Sequence, residues 1–152
     1  MATATKFVDV HVPITTAYNQ WTQFEEFPQF MDGVETVRQL DDRHLHWTVK
    51  IAGVEREFDA EITEQHPDER IAWRATTGVD QSGVVTFHKL DAETTRVTLQ
   101  LEMEPEGVAE TVGEKTGLVS MAAERDMANF KEFIESRGLA SGAWRGDVPR
   151  EG

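Results

Sequence analysis

In residues 44–51, HLHWTVKI, apolar and polar positions alternate: Leu45, Trp47, Val49 and Ile51 share one side, and His44, His46, Thr48 and Lys50 share the other. A period of two is that of an extended strand with one face buried and one wet. VEREFDAEITE repeats the pattern, with Phe58, Ala60 and Ile62 opposing Glu57, Asp59 and Glu61. VETVRQL, RIAWRATT, VVTFHKL and TRVTLQLEMEP continue it and place Ile71, Trp73, Val85, Phe87, Val97, Leu99, Leu101 and Met103 on the apolar side. The connections DDR, AG, HPDE, GVDQSG and DAET are short and polar. They predict antiparallel neighbours, since a parallel crossover takes a dozen or more residues. An N-terminal strand over Phe7–Ile14, with Val8, Val10, Val12 and Ile14 alternating, brings the total to about seven strands. If sequence neighbours pair, the acidic row of the fourth strand lies beside Lys50 on one side and Arg70 and Arg74 on the other.

Two stretches change the period. In PITTAYNQW and the residues after it, Thr15 or Thr16 can cap a short helix in which Ala17, Trp21 and Phe24 recur, and Pro28 breaks or restarts it. From about Thr116 to Arg137, Met121, Met127, Phe130, Phe133 and Ile134 recur at helical spacing among charged residues, with Gly138 as the stop. These signals predict one domain over residues 1–138 and a flexible tail over 139–152, in which Trp144 is the one residue suited to dock. The expected fold class is α+β: a curved antiparallel sheet of about seven strands, with two short helices after strand 1, wrapped around the long C-terminal helix. A sheet with one face to cover and one long helix to cover it leaves a cavity between them, lined by large aromatic and methionine side chains.

Composition narrows the partners. Fifteen Lys plus Arg against 28 Asp plus Glu give a net charge of -13, which repels nucleic acid and anionic membrane surfaces. No apolar run is long enough to insert stably in a membrane, no secretory signal core is present, and a cytoplasmic location is expected. The absence of cysteine removes disulfides and thiolate chemistry. His44 and His46 face the same way, but on the wet side and with no third ligand at useful spacing, so neither a metal nor a cofactor is expected. GVAETVGEKTG (107–117) misses the phosphate-loop spacing and is read instead as a glycine-containing gate opposite Phe27 and Phe30. There is no GxSxG elbow. Nothing in the pattern sets the oligomeric state.

The segments FEEFPQFMDGVETV, HWTVKIAGVEREFDAEITEQHPDERIAWRATTG and SGVVTFHKL, within this order of elements, resemble the START-like, or SRPBCC, helix-grip superfamily over about residues 5–137. Within it they look like the branch labelled polyketide cyclase/dehydrase and lipid transport, which also includes coenzyme Q-binding proteins. The resemblance implies a deep apolar pocket for a lipid, quinone, polyketide or other flat hydrophobic molecule, and it does not by itself imply catalysis.

The candidate ligand-lining residues are Trp21, Phe27, Phe30, Met31, Trp47, Val49, Phe58, Trp73, Phe87, Met121 and Arg125. Phe24, Phe27, Phe30 and Met31 are expected to close one end of the sheet as a lid or wall. No catalytic motif is present. An enzymatic reading, a cyclase or dehydratase, would use Arg125 to bind an enolate or carboxylate, or Tyr18 to present its hydroxyl. Arg125 is otherwise expected at the helix boundary, paired with an acid. A third reading takes the acidic row Glu57, Asp59 and Glu61 as the contact surface of an accessory interaction domain, against the plainer role of keeping the chain soluble.

Overall fold

The computed structural model describes residues 2–51, 54–78, 81–103, 112–146 and 148. Seven strands, β1 (Ala2–Val10), β2 (Val34–Gln39), β3 (His44–Ile51), β4 (Val54–His66), β5 (Arg70–Ala75), β6 (Gln81–Asp91) and β7 (Thr94–Met103), form one antiparallel sheet in the order β1-β7-β6-β5-β4-β3-β2. The alternation seen in the sequence is the alternation of this sheet. Leu45, Trp47, Val49, Phe58, Ala60, Ile62, Ile71, Trp73, Val85, Phe87, Val97 and Leu99 are all buried. Register shifts at Val34/Thr36, Ile62/Glu64 and Lys89/Asp91 interrupt the ladders, and such bulges bend a strand and sharpen its twist.

Strand order fixes what the chain does after β1. β1 and β2 lie at opposite edges. The connection between them, helix α1 (Ile14–Trp21) and a 3₁₀ helix (Phe24–Gln29), therefore runs from one edge of the sheet to the other, packing α1 on β6 and β7 and the 3₁₀ helix on β2. Helix α2 (Val112–Arg137) packs mainly along β1 and buries Ala123, Met127, Phe130 and Ile134. This is the expected helix-grip order. Among the described residues no helix is long and apolar enough to cross a membrane.

Three boundaries differ from expectation. β1 starts at Ala2 and stops at Val10, because Pro13 takes the N-cap of α1 with φ -61° and turns the chain early. Neither Thr15 nor Thr16 caps that helix; Thr15 Oγ1 lies 3.5 Å from Asp68 Oδ2. α2 begins at Val112, earlier than the apolar period suggested, and ends as expected at Gly138, whose φ of 69° lets its N–H reach Ile134 O at 2.8 Å.

The segment after α2, expected to be a flexible tail, makes long-range polar contacts within its described residues, 139–146 and 148. Gln20 and Ser141 bond reciprocally: Gln20 Nε2 donates to Ser141 Oγ (3.1 Å), and Ser141 N–H donates to Gln20 Oε1 (2.9 Å). Trp144 N–H donates to Thr22 Oγ1 at 3.0 Å, and Arg145 donates to Asn19 Oδ1 at 2.7 Å and pairs with Asp68 Oδ2 at 3.0 Å. Val148 exchanges both backbone bonds with Gln65, at 2.9 and 2.7 Å. These contacts strap the segment across α1. Polar side chains and backbone groups make all of these contacts.

Candidate functional site

Residues 24, 27 and 30 are all phenylalanine, and three residues make one turn of a 3₁₀ helix, so the three rings share a face. All three are buried. α1 adds Trp21, β3 adds Trp47, β4 Phe58, β5 Trp73 and α2 Phe130, and the rings join into a continuous chain. Phe30 meets Phe130 and Phe133 with centroids at 5.2 and 5.4 Å. Trp21 meets Phe27 at 5.2 Å, Phe30 at 5.6 Å and Phe130 at 5.2 Å. Phe27 reaches Trp47 at 5.7 Å, and Trp47 stacks on Phe58 (5.8 Å, 9°) and Trp73 (6.1 Å, 22°). Trp47 and Phe58 are direct cross-strand partners, so the sheet register itself makes that stack.

Trp73 is held from two sides. Its ladder partner is Gly83, where a Cβ would lie 2.4 Å from the indole, so the ring occupies the space a side chain would need. Its Nε1 donates to Gln81 Oε1 at 3.3 Å.

Nine of the expected lining residues therefore face the buried interior: Trp21, Phe27, Phe30, Met31, Trp47, Val49, Phe58, Trp73 and Phe87. Tyr18 joins them, buried edge-on against Phe87 at 5.3 Å. Met121 does not: it is 66% exposed. At about 100° per residue it stands six residues from Met127 and roughly 120° away around the helix, well off the face that Ala123, Met127, Phe130 and Ile134 turn inward. Arg125 is also outside, its side chain 58% exposed and its Nε 3.1 Å from Asp32 Oδ2. It is a boundary cation paired with an acid and is not part of the lining. The gate expected over 107–117 lies outside the described residues, apart from the backbone that enters α2.

Around Arg125 lies a polar fastening that the sequence did not disclose. Asn129 Nδ2 donates to Phe30 O at 3.2 Å, and Asp32 N–H donates to Asp126 Oδ1 at 3.3 Å. Together with Arg125–Asp32 these contacts tie the end of the phenylalanine segment to α2. Burial pushes the Asp126 carboxyl up to about 6, with the bond from Asp32 N–H opposing the rise and the Asp32 carboxylate adding to it. Phe130, Gly83 and Gln81 were also absent from the expected lining. The helical period pointed to Phe130, whereas Gly83 and Gln81 become meaningful only through strand register.

The outer face has a different chemistry. His46 Nδ1 lies 2.7 Å from Asp59 Oδ1 and Nε2 lies 3.0 Å from Glu57 Oε1, which raises the imidazole above its ordinary pKa and lowers that of Asp59. His44 instead pairs with Asp41 at 2.8 Å. Arg43 meets Glu61 at 3.1 Å, and Arg74 is Glu61's ladder partner. Lys50 faces Glu55 and reaches across to Glu35 at 3.9 Å, away from the acidic row. A concavity of about 780 Å³ on this side is lined by Glu61, Glu64, Arg70, Arg74, Gln100 and Glu102 among others. An apolar ligand would gain little there, since ions would have to be desolvated to make room for it.

The family profile described as Polyketide cyclase / dehydrase and lipid transport matches residues 10–132. A 17.2 kDa protein of Streptomyces lincolnensis, from the melC2-rnhH intergenic region, is 52% identical over 149 residues, covering 97% of this chain and 99% of that one. Among solved structures, a START superfamily protein from Mycobacterium smegmatis superposes with a TM-score of 0.75 at 16% identity, over 90% of this chain and 99% of the other. The Zhui aromatase/cyclase from Streptomyces sp. R1128 gives 0.69 at 17%, over 90% and 92%. A Deinococcus radiodurans protein gives 0.71 at 26%, over 90% and 99%.

Proposed function

We propose, for a chain that belongs to the polyketide cyclase/dehydrase and lipid transport family, that it binds a hydrophobic small molecule between its sheet and its helices. The observation that carries this reading is the ring chain running from Phe133 through Phe30, Trp21, Phe27 and Trp47 to Phe58 and Trp73. Most contacts in it are tilted or edge-on, the arrangements aromatic rings prefer. A flat apolar ligand would then replace ring–ring contacts with ring–ligand contacts of the same kind, at little cost in buried area. Phe27 and Phe30, on a segment fastened to α2, would form the movable wall.

An enzymatic role of the aromatase/cyclase type has weaker support. Arg125, which would have bound an enolate, is outside and paired with Asp32. Of the two residues considered for chemistry, only Tyr18 is buried in the interior.

Native mass spectrometry of freshly purified protein, with solvent extraction of the same sample, tests the binding reading. The expected result is a stoichiometric apolar adduct that is released on denaturation. Apo mass in every preparation, including one incubated with 2-methylnaphthalene, would overturn it.

A further inference from the structure

The concavity of about 780 Å³ on the outer face is walled and floored by regular strands, since every residue lining it belongs to β4, β5, β6 or β7. Cross-strand register sets its plan. One row across the four strands reads Glu61, Arg74, Ser82, Glu102, and the next reads Glu64, Ala72, Val84, Gln100. Short side chains at Ala72, Ser82 and Val84 make the floor, and long ones surround them. The bulge between Ile62 and Glu64 brings two consecutive residues, Thr63 and Glu64, to the same trough, where a regular pleat would send them to opposite faces. Two of the acids are already paired: Glu61 with Arg43 at 3.1 Å, and Glu64 with Arg70 at 3.3 Å and His66 at 2.9 Å. Arg74 and Glu102 are different. Neither has an ion pair or a side-chain hydrogen bond among the described residues, although Glu61 is the ladder partner of Arg74. They stand in one row on either side of Ser82, two strand spacings or roughly 10 Å apart at Cα.

We propose that this trough is a second binding site, on the opposite side of the sheet from the aromatic interior, for a small hydroxylated anion: a sugar phosphate or a sugar acid. The unpaired Arg74 guanidinium takes the phosphate or carboxylate, which its planar fork of donors matches in geometry. Glu102 can only accept hydrogen bonds, so it suits a ligand hydroxyl, and Ser82, Thr63 and Gln100 each offer a donor and an acceptor to others. Ala72 and Val84 supply a small apolar floor for the C–H face of a sugar ring. The volume falls within the roughly 300–1,000 Å³ of small-molecule sites. A net charge of -13 repels an extended polyanion, so a short ligand with one anionic group fits this face and a nucleic acid does not. The proposal is independent of the interior reading, because ligand and face both differ. The competing account is a solvated gap among long side chains, with Arg74 simply hydrated, and it predicts no saturable binding.

Backbone-amide NMR titrations of the full chain with glucose-6-phosphate, gluconate, glucose and inorganic phosphate separate these accounts. At least one of the two hydroxylated anions is expected to give saturable shifts confined to the amides around Arg74, Ser82 and Glu102. Which of them binds more tightly tells a phosphate ligand from a carboxylate. Glucose lacks the charge and inorganic phosphate lacks the hydroxyls, so each should bind at least about 10-fold more weakly. Arg74 is exposed, so Arg74→Gln should leave the urea midpoint unchanged while weakening the hydroxylated anion at least about 10-fold. Three results would each overturn the proposal: no saturable shift in the trough with either hydroxylated anion, inorganic phosphate binding as tightly as glucose-6-phosphate, or full affinity in the Arg74→Gln protein. None of them bears on an apolar adduct in the interior.

Discussion

The two faces of the β3–β4 ladder are one residue apart in sequence and far apart in chemistry. At one step Trp47 lies opposite Phe58, buried and stacked; at the adjacent step His46 lies opposite Asp59, in contact with water. The inner step removes a large apolar area from water, and its partners have no good alternative. The outer step exchanges hydration for an ion pair that water can nearly replace. Identity on the inner face should therefore govern whether the chain folds, and identity on the outer face should govern small, pH-dependent increments.

The comparison breaks most readily at Phe27, which is fully buried and touches Trp21, Phe24, Phe30 and Trp47. Phe27→Ala is expected to cost about 3–5 kcal/mol in urea unfolding, the range for emptying an aromatic site in a core. If Phe27 is also part of a movable wall, ligand exchange in the variant should quicken; a loss of stability with unchanged exchange would reduce it to a plug. Gly83→Ala comes next, at about 1–3 kcal/mol, because the new methyl group must displace the Trp73 ring. The same alanine on a strand with open space above it would be neutral or helpful, so a neutral result would show that the indole does not lie over Gly83.

Asp126 tests the fastening between the phenylalanine segment and α2. Its carboxyl is raised to about 6 from 3.8, so the folded chain holds a proton that the unfolded chain has lost. This contribution is fully present below pH 3.8, declines as pH rises to about 6, and is absent above. Asp126→Asn stays neutral throughout. It should match the wild type at pH 4 and exceed it at pH 7 by on the order of 1 kcal/mol, after allowance for partial exposure. A constant difference across that range would place the titration elsewhere.

Sheet and helices were legible in the sequence because each has a short, unambiguous period tied to one buried face. Trp47, Phe58 and Trp73 could be assigned to the interior from alternation alone. Met121 could not, because a helical face is fixed by angle and a methionine six residues from the true seam still looks periodic. Long-range polar matches left no local pattern. The Gln20–Ser141 pair joins residues 121 apart, and the Asp126–Asp32 bond spans 94. Their partners are named by the fold and not by neighbours in sequence. The special role of Gly83 is invisible for the same reason, since only the β5–β6 register brings it beneath Trp73.

The smallest effect belongs to the outer face and is also the most diagnostic. His46 bridges Asp59 and Glu57, whose side chains are 49% and 62% exposed, so the pair should contribute under about 1 kcal/mol. The imidazole pKa is raised above 6.5, chiefly by the bond to Asp59 and then by that to Glu57, so the folded state favours the imidazolium. The stabilisation is fully present below pH 6.5 and fades as pH climbs through the raised value, because only the charged ring holds both carboxylates. The Asp126 window closes at about 6, so the two declines should appear as separate steps in a plot of unfolding free energy against pH. His46→Gln should remove the upper step and leave the lower one untouched, with Asp126→Asn doing the reverse. If His46→Gln instead shifted the whole curve uniformly, His46 would be contributing through packing, and the division of labour between the two faces would fail at the one residue where it is easiest to measure.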